Sequence, residues 1–353
     1  MIKANSPYYI STPFVSPASG LTCTSYTLSI WVYDDLKATV PTEATYTITK
    51  DNATGSTDSD DINIARLISD FIEYEPQKAT ATSVINGNNN QWVKTSVVYT
   101  TDVVEAPQLE STSLMSLGYS YGNEGENVVG IVNDTLIPTQ DYKVNRDSVF
   151  VVPILIDEAI AVDVQVISYP DNEINFSTIL PATTDSSELV QYIWVQCDET
   201  TTDKYIEVTF NSQTTTLLLQ DECKYTPLDI FFQNKEGAEQ VLTFFKEQKS
   251  SITVTSSEFE SDRGQPSTGQ HQFVRYNVQA REGLTLNSGF VDEEMNEIFT
   301  QMLLSERIWS FENDTFTPLN IESKQLSYKT QLNERLINYE IRLKPSYNKI
   351  NNI

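Results

Sequence analysis

Apolar residues in this chain alternate with polar ones far more often than they recur at helical spacing, and a period of two marks half-buried strands. In TSYTLSIWVYDD, Tyr26, Leu28 and Ile30 alternate ahead of Trp31 to Tyr33. ATYTITKDN repeats the pattern with Tyr46 and Ile48 and runs into a turn at Asp51-Asn52. WVKTSVVYTT, from Trp92 to Thr101, follows a turn signal at Asn86-Gly87. Further on, VFVVPILI, DVQVISY, LVQYIWVQC, YIEVTF and TTTLLLQ are short strand-like runs with turn residues between them, the spacing of a sandwich or small barrel.

Two segments break into helical spacing. Ile64, Leu67, Ile68, Phe71 and Ile72 share one helical face, with Asp60 or Asp61 as N-cap and Pro76 as the stop. The clearer stripe is Met295, Ile298, Phe299, Met302 and Leu303, placed in a helix at about 290–305. Asp292, Glu293 and Glu294 in its first turn suit the positive end of the helix dipole.

These elements divide the chain into regions. Residues 1–105 read as an N-terminal β domain with one short helix. Residues 106–127, with Pro107, Gly118, Gly122 and Gly125, read as a linker or loop. Residues 128–221 read as a second β-sandwich-like domain. Residues 222–353 read as an antiparallel sheet plus a helix. Within that last region LDIFFQ and VLTFFKEQ flank NKEGAE, a hairpin with Gly237 at its tip. SSITVTSSEFE and HQFVRYNVQAR are two more strands, and RIWSF, PLNIES, KQLSYKT and LINYEIRLK follow the helix. The expected fold is therefore mainly β: a multi-domain, β-sandwich-like architecture with a C-terminal α+β unit and one packed amphipathic helix.

Composition supports this and adds charge. Eighteen Tyr and 15 Phe suit pleated, half-buried surfaces. The 49 acidic against 23 basic residues give a net charge of −26. A field of that sign repels nucleic acid and anionic membranes, so sequence-specific DNA binding is not expected. Solubility accounts for such a charge, and so does a channel wall past which DNA slides. Cys23, Cys197 and Cys223 are odd in number and far apart, which fits free thiols in a reducing compartment. The opening MIKANSPYYISTPF lacks an apolar core typical of a signal peptide, and no apolar run is long enough for a spanning helix, so no membrane insertion is expected.

Candidate chemistry is thin. His271 stands alone, and no nucleophile signature accompanies a pairing of it with any cysteine. YGNEGE near residue 121 has spaced glycines but opens no helix. Asp58-Ser59-Asp60-Asp61 and Asp198-Glu199 carry enough oxygen for calcium, but not in the order of a calcium loop, and solvated loop charge is their ordinary role. Trp31, Trp92, Trp194 and Trp309 invite a glycan-binding idea, although core packing is the commoner fate of such residues. No catalytic, cofactor-binding or metal-ligating residue is expected.

Three phrases of the C-terminal third carry a resemblance: ECKYTPLDIFFQNKEGAEQVLTFFK, RYNVQAREGLTLNSGFVDEEMNEIFTQMLLSERIW and LNIESKQLSYKTQLNERLINYEIRLKPSYNKINN. With ANSPYYI and DINIARLISDFIEYEP they resemble virion or tail proteins of bacteriophages infecting Bacteroidetes. The resemblance implies a non-enzymatic structural protein without cofactor, found in the virion at the tail or head-tail junction and assembled in the host cytoplasm. It implies a ring of identical copies in a tube, hub, distal tail, baseplate or neck, with other tail or neck proteins as neighbours. A receptor- or glycan-binding adhesin of the tail tip is the alternative expectation, and a polysaccharide-degrading enzyme the next.

Overall fold

The computed structural model describes residues 2–13, 22–34, 40–52, 59–87, 92–102, 104–121, 134–157, 161–170, 173–180, 188–197, 203–261, 264, 268–323 and 337–349. The chain is mainly β, as the alternating pattern predicts. Its first strands are β1 (Ile2–Lys3), β2 (Tyr9–Pro13), β3 (Ser25–Asp34), β4 (Tyr46–Asp51) and β5 (Ser59–Asn63). Helix α1 (Ala65–Ser69) precedes β6 (Ser83–Asn86), β7 (Val93–Thr101) and β8 (Val104–Ser116). There follow β9 (Asp134–Thr135), β10 (Asp141–Asn145), β11 (Val149–Asp157), β12 (Val162–Tyr169) and β13 (Glu173–Leu180). Next come β14 (Glu188–Gln196), β15 (Tyr205–Phe210), β16 (Gln213–Gln220), β17 (Leu228–Gln233) and β18 (Glu239–Phe244). The last elements are β19 (Lys249–Glu260), β20 (Phe273–Val291), a 3-10 turn (Glu293–Met295), α2 (Asn296–Leu304), β21 (Ile308–Glu312), β22 (Thr315–Ile321) and β23 (Ile337–Pro345).

Two compact units divide the chain: residues 1–220 with 233–240, and residues 221–232 with 241–353. The first unit holds a five-stranded sheet β1-β8-β7-β3-β4, a second five-stranded sheet β10-β16-β15-β12-β13 and a four-stranded sheet β6-β14-β11-β9. Strand β6, from the first sequence region, pairs with β14 of the second, Tyr192 opposite Ile85. That pairing ties the first two sequence regions into one unit. The neighbouring sheets share a core in which Tyr142 of β10 meets Phe150 of β11 at 5.0 Å. Strand β11 is buried from Val149 to Ile156, so its unbroken apolar run reflects cover on both faces.

The second unit is built on the seven-stranded sheet β18-β17-β21-β22-β23-β20-β19. Helix α2 packs through Ile298, Phe299 and Met302, all fully buried. The Phe299 ring lies 4.7 Å from Tyr339 and 6.1 Å, edge-on, from Phe244. Loss of that ring would cost about 3–5 kcal/mol.

Several boundaries differ from the sequence expectation. The C-terminal helix starts later than 290, because β20 runs to Val291 opposite Ile337 and Asp292 is extended. The first helix is one short turn, and neither Asp60 nor Asp61 caps it, since both lie in β5 opposite β2. Asn63 Oδ1 instead accepts from the Ala65 amide at 3.1 Å. The expected linker at 106–127 begins with strand: β8 pairs along β7 from Val104 to Met115. Pro107 reads as a breaker in sequence, but among the described residues β1 covers the far side of β8 only at Met115 and Ser116, so the proline stands beyond that pairing, beside a register shift. Residues 122–127 of that linker, and KQLSYKT at 324–330, lie outside the described residues.

Candidate functional site

Strand β20 pairs with β23 from Leu284 to Val291 and with β19 from Phe273 to Thr285. Outward from Gly283, β19 and β20 therefore continue as a two-stranded arm, Ser251–Glu260 against Phe273–Gly283. Ten strand residues at roughly 3.3 Å each give a reach of about 33 Å. At its base the Lys349 amide donates to the Ala280 carbonyl at 2.8 Å, and the Lys349 ammonium pairs with Glu282.

The arm exposes apolar side chains on both faces. Opposed residues share a face of a ribbon. Val274, Tyr276 and Phe259 lie on one face near the tip, where the Phe259 and Tyr276 rings sit 5.6 Å apart. Ile252 and Val254 lie on the other face, nearer the base. Ile252 is 58% exposed and Phe273 60%. A bulge opposite Ser256, with Asn277 at φ +50°, separates the two patches. An isolated two-stranded ribbon is marginal in water and gains stability when a further strand or surface covers it. Residues 251–283 set Arg263, Arg275 and Arg281 against Glu258, Glu260, Asp262 and Glu282, so the arm is within one charge of neutral in a chain of charge −26.

A second open edge belongs to the first unit. Strand β13 ends its sheet beyond β12. Ile179 opposes Asp163 and Ile174 opposes Ile167, on the outward face of β12. The two isoleucines are 67% and 62% exposed. Edge strands are ordinarily guarded by charge, proline or brevity. The sequence EINFSTIL offers Glu173 as its one charge. The edge strand β4, by contrast, carries Lys50 and Asp51, with Lys50 2.6 Å from Asp60.

The tip of the β17–β18 hairpin has the opposite character. Residues 233–240 belong to the first unit and are almost wholly buried. Asn234 Nδ2 donates to the Leu136 carbonyl at 2.8 Å, and its Oδ1 accepts from the Glu236 and Ala238 amides at 3.0 Å each. Gly237 takes φ +81°, and a Cβ there would come within 2.7 Å of the Gly118 nitrogen. Lys3 Nζ pairs with Glu236 at 2.8 Å. The Glu239 carboxylate accepts from Tyr74 Oη at 3.2 Å and from the Gln77 amide at 3.1 Å. Burial pushes its carboxyl up to about 8, against the smaller opposing effect of these two donors.

The residues singled out in the sequence are scattered. His271 is exposed in the loop of the arm. Cys23 and Cys197 are buried and Cys223 is exposed, and no hydrogen bond joins His271 to any of them. Asp60 accepts from Tyr26 Oη at 3.2 Å and holds Lys50, while Asp61 accepts from Ser11. Asp58, Asp198, Glu199 and residues 122–126 of YGNEGE lie outside the described residues. No group of three His, Cys, Asp or Glu is arranged for a metal ion among the described residues. Trp92 and Trp194 are core residues, so their replacement reads out as lost stability rather than lost glycan contact. Trp31 and Trp309 are half-buried.

Sequence reading placed strands at the arm but none at β13, and it passed over the exposure of both. The signal it had was the uncharged runs SSITVTSS and INFSTIL, which carry no guard.

What fold and site define together is a β-rich protein with an exposed arm and an open sheet edge. No protein-family model matches the chain, and no curated protein matches it.

Proposed function

We propose that this chain is a structural subunit of a phage tail or head-tail connector, present as a ring of identical copies in a tube, hub, distal tail, baseplate or neck. The observation that carries this reading is the arm: apolar side chains on both faces of an isolated ribbon need a neighbour. Two of the phrases that resemble phage tail proteins, RYNVQAREGLTLNSGFVDEEMNEIFTQMLLSERIW and LNIESKQLSYKTQLNERLINYEIRLKPSYNKINN, belong to the same unit as the arm. The acidic body suits a particle through which DNA passes without sticking. Electron microscopy of virions labelled on this protein tests the reading. A ring of label on the tail or neck supports it, and a single copy or an unbound chain overturns it.

The exposed Phe259–Tyr276 pair favours a second reading, an adhesin whose arm tip stacks on sugar rings. Glycan binding abolished by Tyr276→Ala, with no change in assembly, would favour that role.

A further inference from the structure

We infer that the ring closes by strand pairing between copies: the outer edge of β19 in one copy adds to the outer edge of β13 in the next. This rests on the ring-subunit reading and names its contact.

Both strands end their sheets, so among the described residues neither outer edge carries a paired strand. An unpaired edge is a row of backbone donors and acceptors able to template another strand. The lengths agree. Ser250–Ser257 is an eight-residue run without a charge, and β13 is eight residues with Glu173 as its one charge. The apolar groups agree as well. Ile252 and Val254 project from one edge, and Ile174 and Ile179 from the other, all substantially exposed.

Charge selects a second copy as the occupant. Two molecules at −26 each repel over most of their surfaces, and they approach closely only where the local charge vanishes. The nearly neutral arm and the nearly uncharged β13 are two such places on this chain. The edge strand β4 is disfavoured by Lys50 and Asp51. Donor and acceptor edges differ, so the contact is head-to-tail, and a head-to-tail contact generates a ring where its rotation closes.

The test uses the full chain and two edge variants, Ile174→Glu with Ile179→Glu, and Ile252→Glu with Val254→Glu. Sedimentation velocity reads the assembly state, and thermal unfolding checks the fold. The wild type forms a ring, and each variant alone is monomeric. A mixture of the two variants stops at a dimer, because it retains one intact β19 and one intact β13. A variant that still forms wild-type rings, or a mixture that stays monomeric, overturns the strand pairing and leaves the ring reading intact. A wild type that is monomeric overturns the ring reading itself. If a glutamate pair unfolds the chain, the serine versions of the same positions replace it, with the same outcomes expected.

Discussion

Two hairpins of the C-terminal region make opposite use of one motif. The β17–β18 hairpin is buried along both strands, and its tip fixes Asn234, Glu236 and Glu239 with specific partners. The β19–β20 hairpin is exposed along most of its length and offers isoleucine, valine and aromatic rings to solvent. In the first, polar groups sit where apolar ones are expected. In the second, apolar groups sit where polar ones are expected. The lesson is that a hairpin's role follows from what lies beyond its two strands, since pairing within each is ordinary.

If the buried tip is structural, breaking it costs most. Gly237→Val combines a left-handed backbone with a clash at Gly118, and should destabilise by about 3 kcal/mol, read from the urea midpoint. A pH dependence from the same tip is of at least the same size when summed over its whole range. Glu239 ionises near 4.5 when unfolded and near 8 when folded, so between those values the native state holds a proton that the unfolded state has released. Stability is full below about 4.5, falls by up to about 1.4 kcal/mol per pH unit as pH rises towards 8, and levels off above. Glu239→Gln should remove that slope in urea titrations across the interval. Removing the buried Lys3 charge at the same tip has a smaller effect: Lys3→Met should cost about 2 kcal/mol, since it strands a partly buried Glu236. The arm gives the smallest change. Ile252→Ser with Val254→Ser should alter the monomer's thermal stability by less than about 0.5 kcal/mol, because both side chains already face solvent. A large loss there would erase the contrast between the hairpins.

The sequence made some of this legible and hid the rest for physical reasons. Strands such as β3, β12 and β15 alternate cleanly because each packs one face on a core. The Gly237 tip was legible because its turn chemistry is local. Pro107 misled because a breaker in a central strand is an ordinary residue beyond the pairing with β1. Glu239 gave no sign of burial, since its partners Tyr74 and Gln77 are 165 and 162 residues away. The bareness of the arm was hidden likewise. ITV alternates as a half-buried strand does, and the exposure of Ile252 and Val254 is set by distant packing that alternation does not report.

Newly made copies carry a hazard in this design. Arg275 and Arg281 stand on a two-stranded ribbon, a motif marginal in water without cover, which gives trypsin-like proteases a place to cut. A neighbour laid along β19 would close that place. In the proposed ring, survival of the uncut chain would then record which copies had found a neighbour, and quality control would follow from geometry without any dedicated factor.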